Sequence, residues 1–283
     1  MSNNAAALLS AVRRDAVVRH EGGVGVVMSE RLLAEPGLRH GFTTRLGGVS
    51  EAPFDSLNLG TNRPEPYENI LENYRRLCVN YGLRLERLAI VRHEHGVNIL
   101  KLGPEDAGRG VTREPFGFCD GLVTDSPLVT LVTAHADCSA FFVYDRRTRS
   151  IGLAHAGWKG MFGRIGQKLV ERLSAEYGAD PNDMVCAIGP CICENCFEVD
   201  LPLAESFARE FDCPDIYSLH EGRPGKAYVA LRAAGVIQLM DAGVPFDSIS
   251  VMDRCTFEEP ELFFSYRRDG KGTGAMAGFM TLE

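Results

Sequence analysis

The sequence lacks an excess of basic residues: 30 Lys and Arg stand against 38 Asp and Glu, for a net charge of -8. Neutralising a run of nucleic-acid phosphates takes clustered positive charge, so a broad nucleic-acid footprint is excluded and only a local basic pocket stays open. The chain also lacks any apolar stretch approaching the roughly 20 residues that a bilayer span needs. A short apolar run near the start, AAALLSAV, has no basic residue before it and charges directly after it, unlike a secretory signal. A soluble cytoplasmic protein with no membrane partner is expected. Histidine is scarce too, and seven imidazoles limit how many metal clusters the chain can build.

Cysteine, by contrast, is plentiful. Nine thiols, an odd number without a secretion signal, read as reduced side chains or metal ligands rather than a disulfide framework. With 45% hydrophobic residues, a chain of 283 can bury a large core. No repeat, low-complexity segment or linker divides it, so one domain over 1–283 is expected, with residues 1–12 disordered.

The β-branched segment 17–28 predicts two strands turning at a glycine, and 40–60 begins as a strand and runs into a long Gly, Ser, Pro and Asn-rich loop. Apolar residues at helical spacing predict a helix over 67–81, and further helices are predicted over 161–177 and 228–241. Short apolar runs at 88–91, 97–100, 128–134, 140–144, 150–154, 184–189, 248–252 and 276–281 predict buried strands. The fold class this implies is α+β, with mixed sheets packed as a sandwich and flanked by helices.

Four of the seven histidines fall in three segments: RHEHG (92–96), HADC (135–138) and AHAGW (154–158). Each follows or ends an apolar run, so its side chains stand at strand ends, where separate strands bring ligands together. Two His and one Cys make a tetrahedral zinc set that leaves a fourth position open, as in catalytic sites. Spacing alone does not choose between His93 and His95, or between His135 and Cys138. The segment CAIGPCICENC (186–196) carries four cysteines, but its spacing is not that of paired zinc knuckles, and partly buried thiols are expected. The Gly-rich turn within 263–279, with Arg267, Arg268 and Asp269, offers a phosphate seat as one reading and a hairpin loop with a solvated Arg-Arg-Asp tip as the other; a Gly-rich turn alone is weak evidence for phosphate, and no P-loop pattern is present.

Taken in order, HGFTTRLGGVSEAPFDSLNLG, HEHG, CDGLVTD, HADC, AHAGWKG, IGPCI and CTF followed by FFSYRRDG resemble the YfiH-like family over residues 38–280. Its members carry three labels: laccase-like polyphenol oxidase, peptidoglycan editing factor and purine nucleoside phosphorylase. The resemblance implies one zinc on His95, Cys138 and His155, with these as the catalytic residues. It also implies substrate or phosphate contacts from Arg45, Asn58 and Asn73, together with Arg75 or Arg76. His93 stands where the family commonly has Gln, and His135 where it has a non-ligating residue.

The activity implied is zinc-dependent phosphorolysis of inosine, guanosine and adenosine, extending to methylthioadenosine, with adenosine deamination as a side activity. Nucleoside and phosphate are then the small-molecule partners. Copper-dependent polyphenol oxidation is the alternative, but a three-copper cluster beside a two-His, one-Cys copper needs more imidazoles than the chain has left. A hydrolase editing peptidoglycan precursors, with Cys138 as nucleophile and His155 as base, is the third.

Overall fold

In the computed structural model, which describes residues 4–283, two large sheets face each other. The six-stranded sheet runs in the order Val17–Glu21, Val24–Met28, Leu38–Thr43, Met276–Leu282, Thr130–His135 and Leu88–Ile90. The seven-stranded sheet runs Arg13–Arg14, Ile249–Val251, Met184–Ile188, Ser139–Asp145, Ser150–Ala156, Gly121–Thr124 and Ile99–Lys101. Both mix parallel and antiparallel pairs.

The period of two along each strand sorts side chains between layers. In Ser139–Asp145, Ala140, Phe142 and Tyr144 point between the sheets, where they meet Phe42, Leu131 and Met280. Phe141 and Val143 of the same strand point the other way, into a layer with Leu169 and Val170 of the helix Ile165–Tyr177 and Val236 and Ile237 of the helix Leu231–Asp241. The outer face of the six-stranded sheet is closed by the helix Tyr67–Tyr81, whose Ile70, Tyr74 and Leu77 pack on Val26, Val132 and Phe279. The result is a sandwich of two mixed sheets with helices on both outer faces, as the α+β reading expects. Gly166 and Gly235 let the two helices approach closely, because a Cβ on either would lie 2.7 Å from Phe141 or 2.8 Å from Ile188.

The expected helix 67–81 ends at Gly82, whose left-handed φ of 64° lets its N–H return to the Cys78 carbonyl. Other segments differ from expectation for local reasons. The helix expected over 161–177 is two, Trp158–Phe162 and Ile165–Tyr177, separated by Gly163 and by Arg164 at φ 61°. The helix expected over 228–241 starts at Leu231, because Lys226–Val229 is the centre of a separate three-stranded sheet with Glu198–Asp200 and Tyr217–Leu219. The expected Arg-Arg-Asp loop is a helical turn, Tyr266–Asp269, capped by the Ser265 hydroxyl. Of the N-terminal segment expected to be disordered, residues 1–3 lie outside the described residues, and Ala5–Ala11 is a helix with Leu8 and Leu9 buried.

Candidate metal centre

The strand Ser150–Ala156 points Ile151 and Leu153 between the sheets, and His155 follows in the same phase near its end. Cys138 lies in the turn by which the chain crosses from Thr130–His135 in one sheet to Ser139–Asp145 in the other, with Asp137 at φ 79°. His95, at φ 61°, sits in the connection between Leu88–Ile90 and Ile99–Lys101. Three segments distant in sequence thus deliver two imidazoles and a thiol whose donor atoms all lie within 4.8 Å of one another.

Asp120, fully buried, organises this convergence. Its carboxylate accepts the His155 Nδ1–H at 2.9 Å and the backbone N–H groups of His95 and Gly96 at 3.1 and 2.7 Å. One side chain therefore selects the His155 tautomer, leaving Nε2 free as a donor, and holds the strained His95 turn. Burial pushes the Asp120 carboxyl up, but the hydrogen bonds from His155, His93 and Gly96 outweigh it and hold the group well below the usual carboxylate range. Burial lowers His155 to about 3 and also lowers His95, so both rings are neutral, as metal ligands must be. Burial, with the Asp137 carboxylate adding, pushes the Cys138 thiol up to about 12 in the metal-free protein.

The two remaining histidines of these segments differ in how far hydrogen bonds engage them. His93 Nε2 accepts the Ala134 N–H at 2.9 Å, its Nδ1 lies 3.5 Å from Asp120, and its ring stacks on His155 at 4.0 Å. His135 uses both nitrogens, on the Thr133 hydroxyl at 2.8 Å and the Cys138 carbonyl at 3.1 Å. His135 therefore has no free ring nitrogen, whereas His93 Nδ1 has no hydrogen-bond partner among the described residues. Gly157 completes the cradle: a Cβ there would lie 2.9 Å from His95 Cδ2 and 3.3 Å from Cys138 Sγ. Neutral imidazoles, one sulfur and a space that any side chain would fill suit a tetrahedral divalent ion with one open position.

The trio lines a cavity of about 840 Å³, the size of a small-molecule site. Phe118, Trp158 and Tyr266 expose rings on its walls, and Arg63, Arg92 and Arg267 supply positive charge. Arg63 Nε is buried without a hydrogen-bond partner among the described residues.

None of the five residues expected to contact substrate or phosphate lines this cavity. Arg45 bonds the Asp55 and Pro260 carbonyls at 2.8 and 3.2 Å and stacks on Phe264. Arg75 faces Glu72, while Arg76 bonds Glu72 and the carbonyls of Gly47 and Gly48. Asn73 is buried, accepting from Val49 N–H and donating to the Asn58 carbonyl, both at 2.8 Å. Asn58 accepts from Gly60 and Ala275 N–H at 3.0 and 2.9 Å and donates to Glu65, so it fixes two segments that shape the wall without reaching into it.

Asp120, Asp137 and Gly157 escaped assignment from the sequence. Asp137 accepts from the Thr256 and Ser265 hydroxyls at 2.7 and 3.0 Å and from Arg267 N–H at 2.6 Å, tying the Cys138 turn to the Arg267 segment. A carboxylate in an otherwise apolar stretch, as in FCDGLV, was the available signal for Asp120. Among the described residues, the metal-capable groups besides the trio are His93 with Asp120 and His155, and a Cys-rich group that contains no histidine.

Two facing sheets with a metal-capable trio lining a ligand-sized cavity define the class of protein. The chain belongs to the YfiH/laccase-like family, whose model, described as multi-copper polyphenol oxidoreductase laccase, matches residues 39–283. It is 36% identical over 244 residues, 85% of this chain and 88% of the other, to a Geobacillus stearothermophilus protein named purine nucleoside phosphorylase YlmD. The crystal structure of YlmD from the same organism superposes with a TM-score of 0.85 at 34% identity, covering 95% of this chain and 99% of that one. That of the Bacillus licheniformis hypothetical protein YfiH gives 0.86 at 29% identity, covering 94% and 99%.

Proposed function

We propose that this protein is a zinc-dependent purine nucleoside phosphorylase, acting on inosine, guanosine, adenosine and methylthioadenosine, with adenosine deamination as a side activity. The observation that carries the reading is the convergence of His95, Cys138 and His155 on the floor of a cavity walled by aromatic rings and three arginines. The phosphorylase names of the relatives agree with it.

The chain's own groups divide the work by charge and shape. Exposed rings of Phe118, Trp158 and Tyr266 offer flat apolar faces for a purine. Arg63, Arg92 and Arg267 present guanidinium groups suited to phosphate oxygens. In phosphorolysis a phosphate oxygen bonds to the ribose C1′ while the C1′–N9 bond breaks, and the purine leaves with the bonding pair and takes up a proton. The arginines hold the nucleophile in line and Asp120 holds His155 and the His95 turn in register, so orientation supplies much of the rate. When bound by the trio, zinc supplies Lewis acidity at the cavity floor.

Purified protein should release hypoxanthine and ribose 1-phosphate from inosine only when phosphate and metal are both present. A zinc-replete sample that forms neither hypoxanthine from inosine nor inosine from adenosine would overturn the reading. Copper-dependent phenol oxidation draws less support: besides the trio, the one histidine-bearing metal-capable group among the described residues is His93 with Asp120 and His155, which shares His155 with the trio and so falls short of a separate three-copper cluster.

A further inference from the structure

Cys193 and Cys196 lie in the loop that follows the strand Met184–Ile188, and Cys255 and Glu258 in the loop that follows Ile249–Val251. These strands are parallel neighbours, so both loops emerge at the same sheet end, and an isolated backbone β-pairing of Cys191 with Cys255 holds them side by side. Within the first loop the N–H groups of Cys196 and Phe197 both donate to the Cys193 carbonyl, at 3.1 and 3.0 Å, folding the Cys-x-x-Cys unit into a tight turn. Glu258 reaches over from the second loop, 3.7 Å from Cys193 Sγ and 3.3 Å from Cys196 Sγ. Three sulfurs and a carboxylate oxygen all fall within 4.8 Å of one another.

We propose that Cys193, Cys196, Cys255 and Glu258 form a second metal site, a closed four-coordinate zinc centre independent of His95, Cys138 and His155. In a tetrahedron with Zn–S bonds of about 2.3 Å the sulfurs stand about 3.8 Å apart, so the group needs a contraction of about 1 Å or less. Two features prepare it for a cation. The Cys193 N–H points at Cys255 Sγ from 3.4 Å. Cys193 and Cys255 are buried, so a thiolate there gathers little solvent stabilisation and takes it from a bound ion instead. All four donors come from the protein and leave no position for substrate, which makes the centre structural. It joins two loops that sequence spacing alone does not pair, because Cys255 and Glu258 come from a different strand connection.

The site also has a mechanical consequence for the cavity. Arg267 donates to the Cys196 carbonyl at 3.3 Å and its guanidinium lies 5.3 Å over the Phe197 ring, and both residues line the cavity wall. Clamping the Cys193–Cys196 turn therefore fixes the support on which one of the three cavity arginines rests.

The test is elemental analysis of zinc in protein kept under reductant, with cobalt substitution as a second readout. Wild-type protein should hold about two zinc ions per chain, His155→Ala about one, and a Cys196→Ser/Cys255→Ser double variant about one. Cobalt in the His155→Ala protein, where the Cys-rich loops are untouched, should show tetrahedral d–d bands and intense thiolate-to-metal charge transfer. A His155→Ala protein without zinc and without that charge-transfer band would overturn the proposal, as would a native disulfide between any two of the three cysteines. Should the zinc of the wild type instead be lost only on Cys196→Ser/Cys255→Ser and not on His155→Ala, the second site would stand and the proposed catalytic zinc would fall.

Discussion

Asp120 accepts the His155 Nδ1–H at 2.9 Å with the same carboxylate oxygen that accepts the His95 backbone N–H at 3.1 Å. One buried charge thus sets both the tautomer of one proposed ligand and the backbone of another. Asp120→Asn keeps the shape but loses the charge and an acceptor. Zinc affinity should fall by about 10–100-fold, the range for lost outer partners of a ligating histidine. Competition with a chromophoric chelator would read it, and unchanged affinity would show that Asp120 has no positioning role.

Gly157 offers a cleaner test of the cradle. Its φ of -67° suits any residue, so Gly157→Ala introduces no backbone strain. The added methyl, 2.9 Å from His95 Cδ2, should displace that ring and lower metal content and turnover together. The thermal unfolding of the metal-free protein should change little. An alanine variant that binds zinc as tightly as the parent would sink this account of the site.

Phosphate binding distinguishes the cavity arginines from those the family resemblance suggested. Arg63→Ala should raise the KM for phosphate at least several-fold while the KM for inosine stays nearly constant. Arg45→Ala should leave the phosphate KM unchanged but destabilise the fold by about 1–3 kcal/mol, because its guanidinium holds two loop carbonyls. Steady-state kinetics and thermal unfolding on both variants check the assignment, and the opposite pattern would return phosphate to Arg45.

Chelation separates two chemistries that share Cys138 and His155. A zinc phosphorylase should lose turnover on dialysis against a strong chelator and regain it on adding zinc. A Cys-His hydrolase should keep its activity through the same treatment. Turnover that survives complete metal removal would rule out the zinc mechanism.

Stability should depend on pH through His40, away from the metal centre. Burial, with Arg19 adding, lowers it from 6.5 to about 3, and its Nε2 accepts the Ser29 N–H at 2.9 Å. Its folded pKa lies below its unfolded one, so the unfolded chain binds the extra proton between those values. The His40 contribution is therefore fully present above about 6.5 and is lost as pH falls towards about 3. His40→Gln, which keeps an acceptor without titrating, should flatten the melting temperature over that window. An equal slope in both proteins would assign the acid sensitivity elsewhere.

Several parts of this architecture are legible in residue order alone. Periodicity marks the helix 67–81 and most strands of both sheets, since side chains repeating every 3.6 or 2 residues must share a buried face. The strand Gly121–Thr124 and the helix Leu201–Glu210 were not marked, the first because four buried residues carry too short a pattern. The three histidine segments mark the site's neighbourhood, because scarce ligand types clustered at strand ends are an unusual pattern. The division of Lys226–Val229 from the helix after it was not readable, because that strand exists only through its partners in the small sheet.

The sequence by itself determined the sandwich of mixed sheets and the segments from which the proposed metal ligands come, since both follow from local patterns of apolar and ligating side chains. Tertiary structure alone decided which groups within those segments are free. His135 is occupied at both ring nitrogens, His93 accepts from Ala134 N–H 41 positions away with Nε2 alone, and Asp120 reaches His155 across 35 positions. It also decided that Arg63, and not Arg45, turns into the cavity. A hydrogen bond or a close approach between distant positions leaves no periodicity behind it, so only the folded chain reveals it.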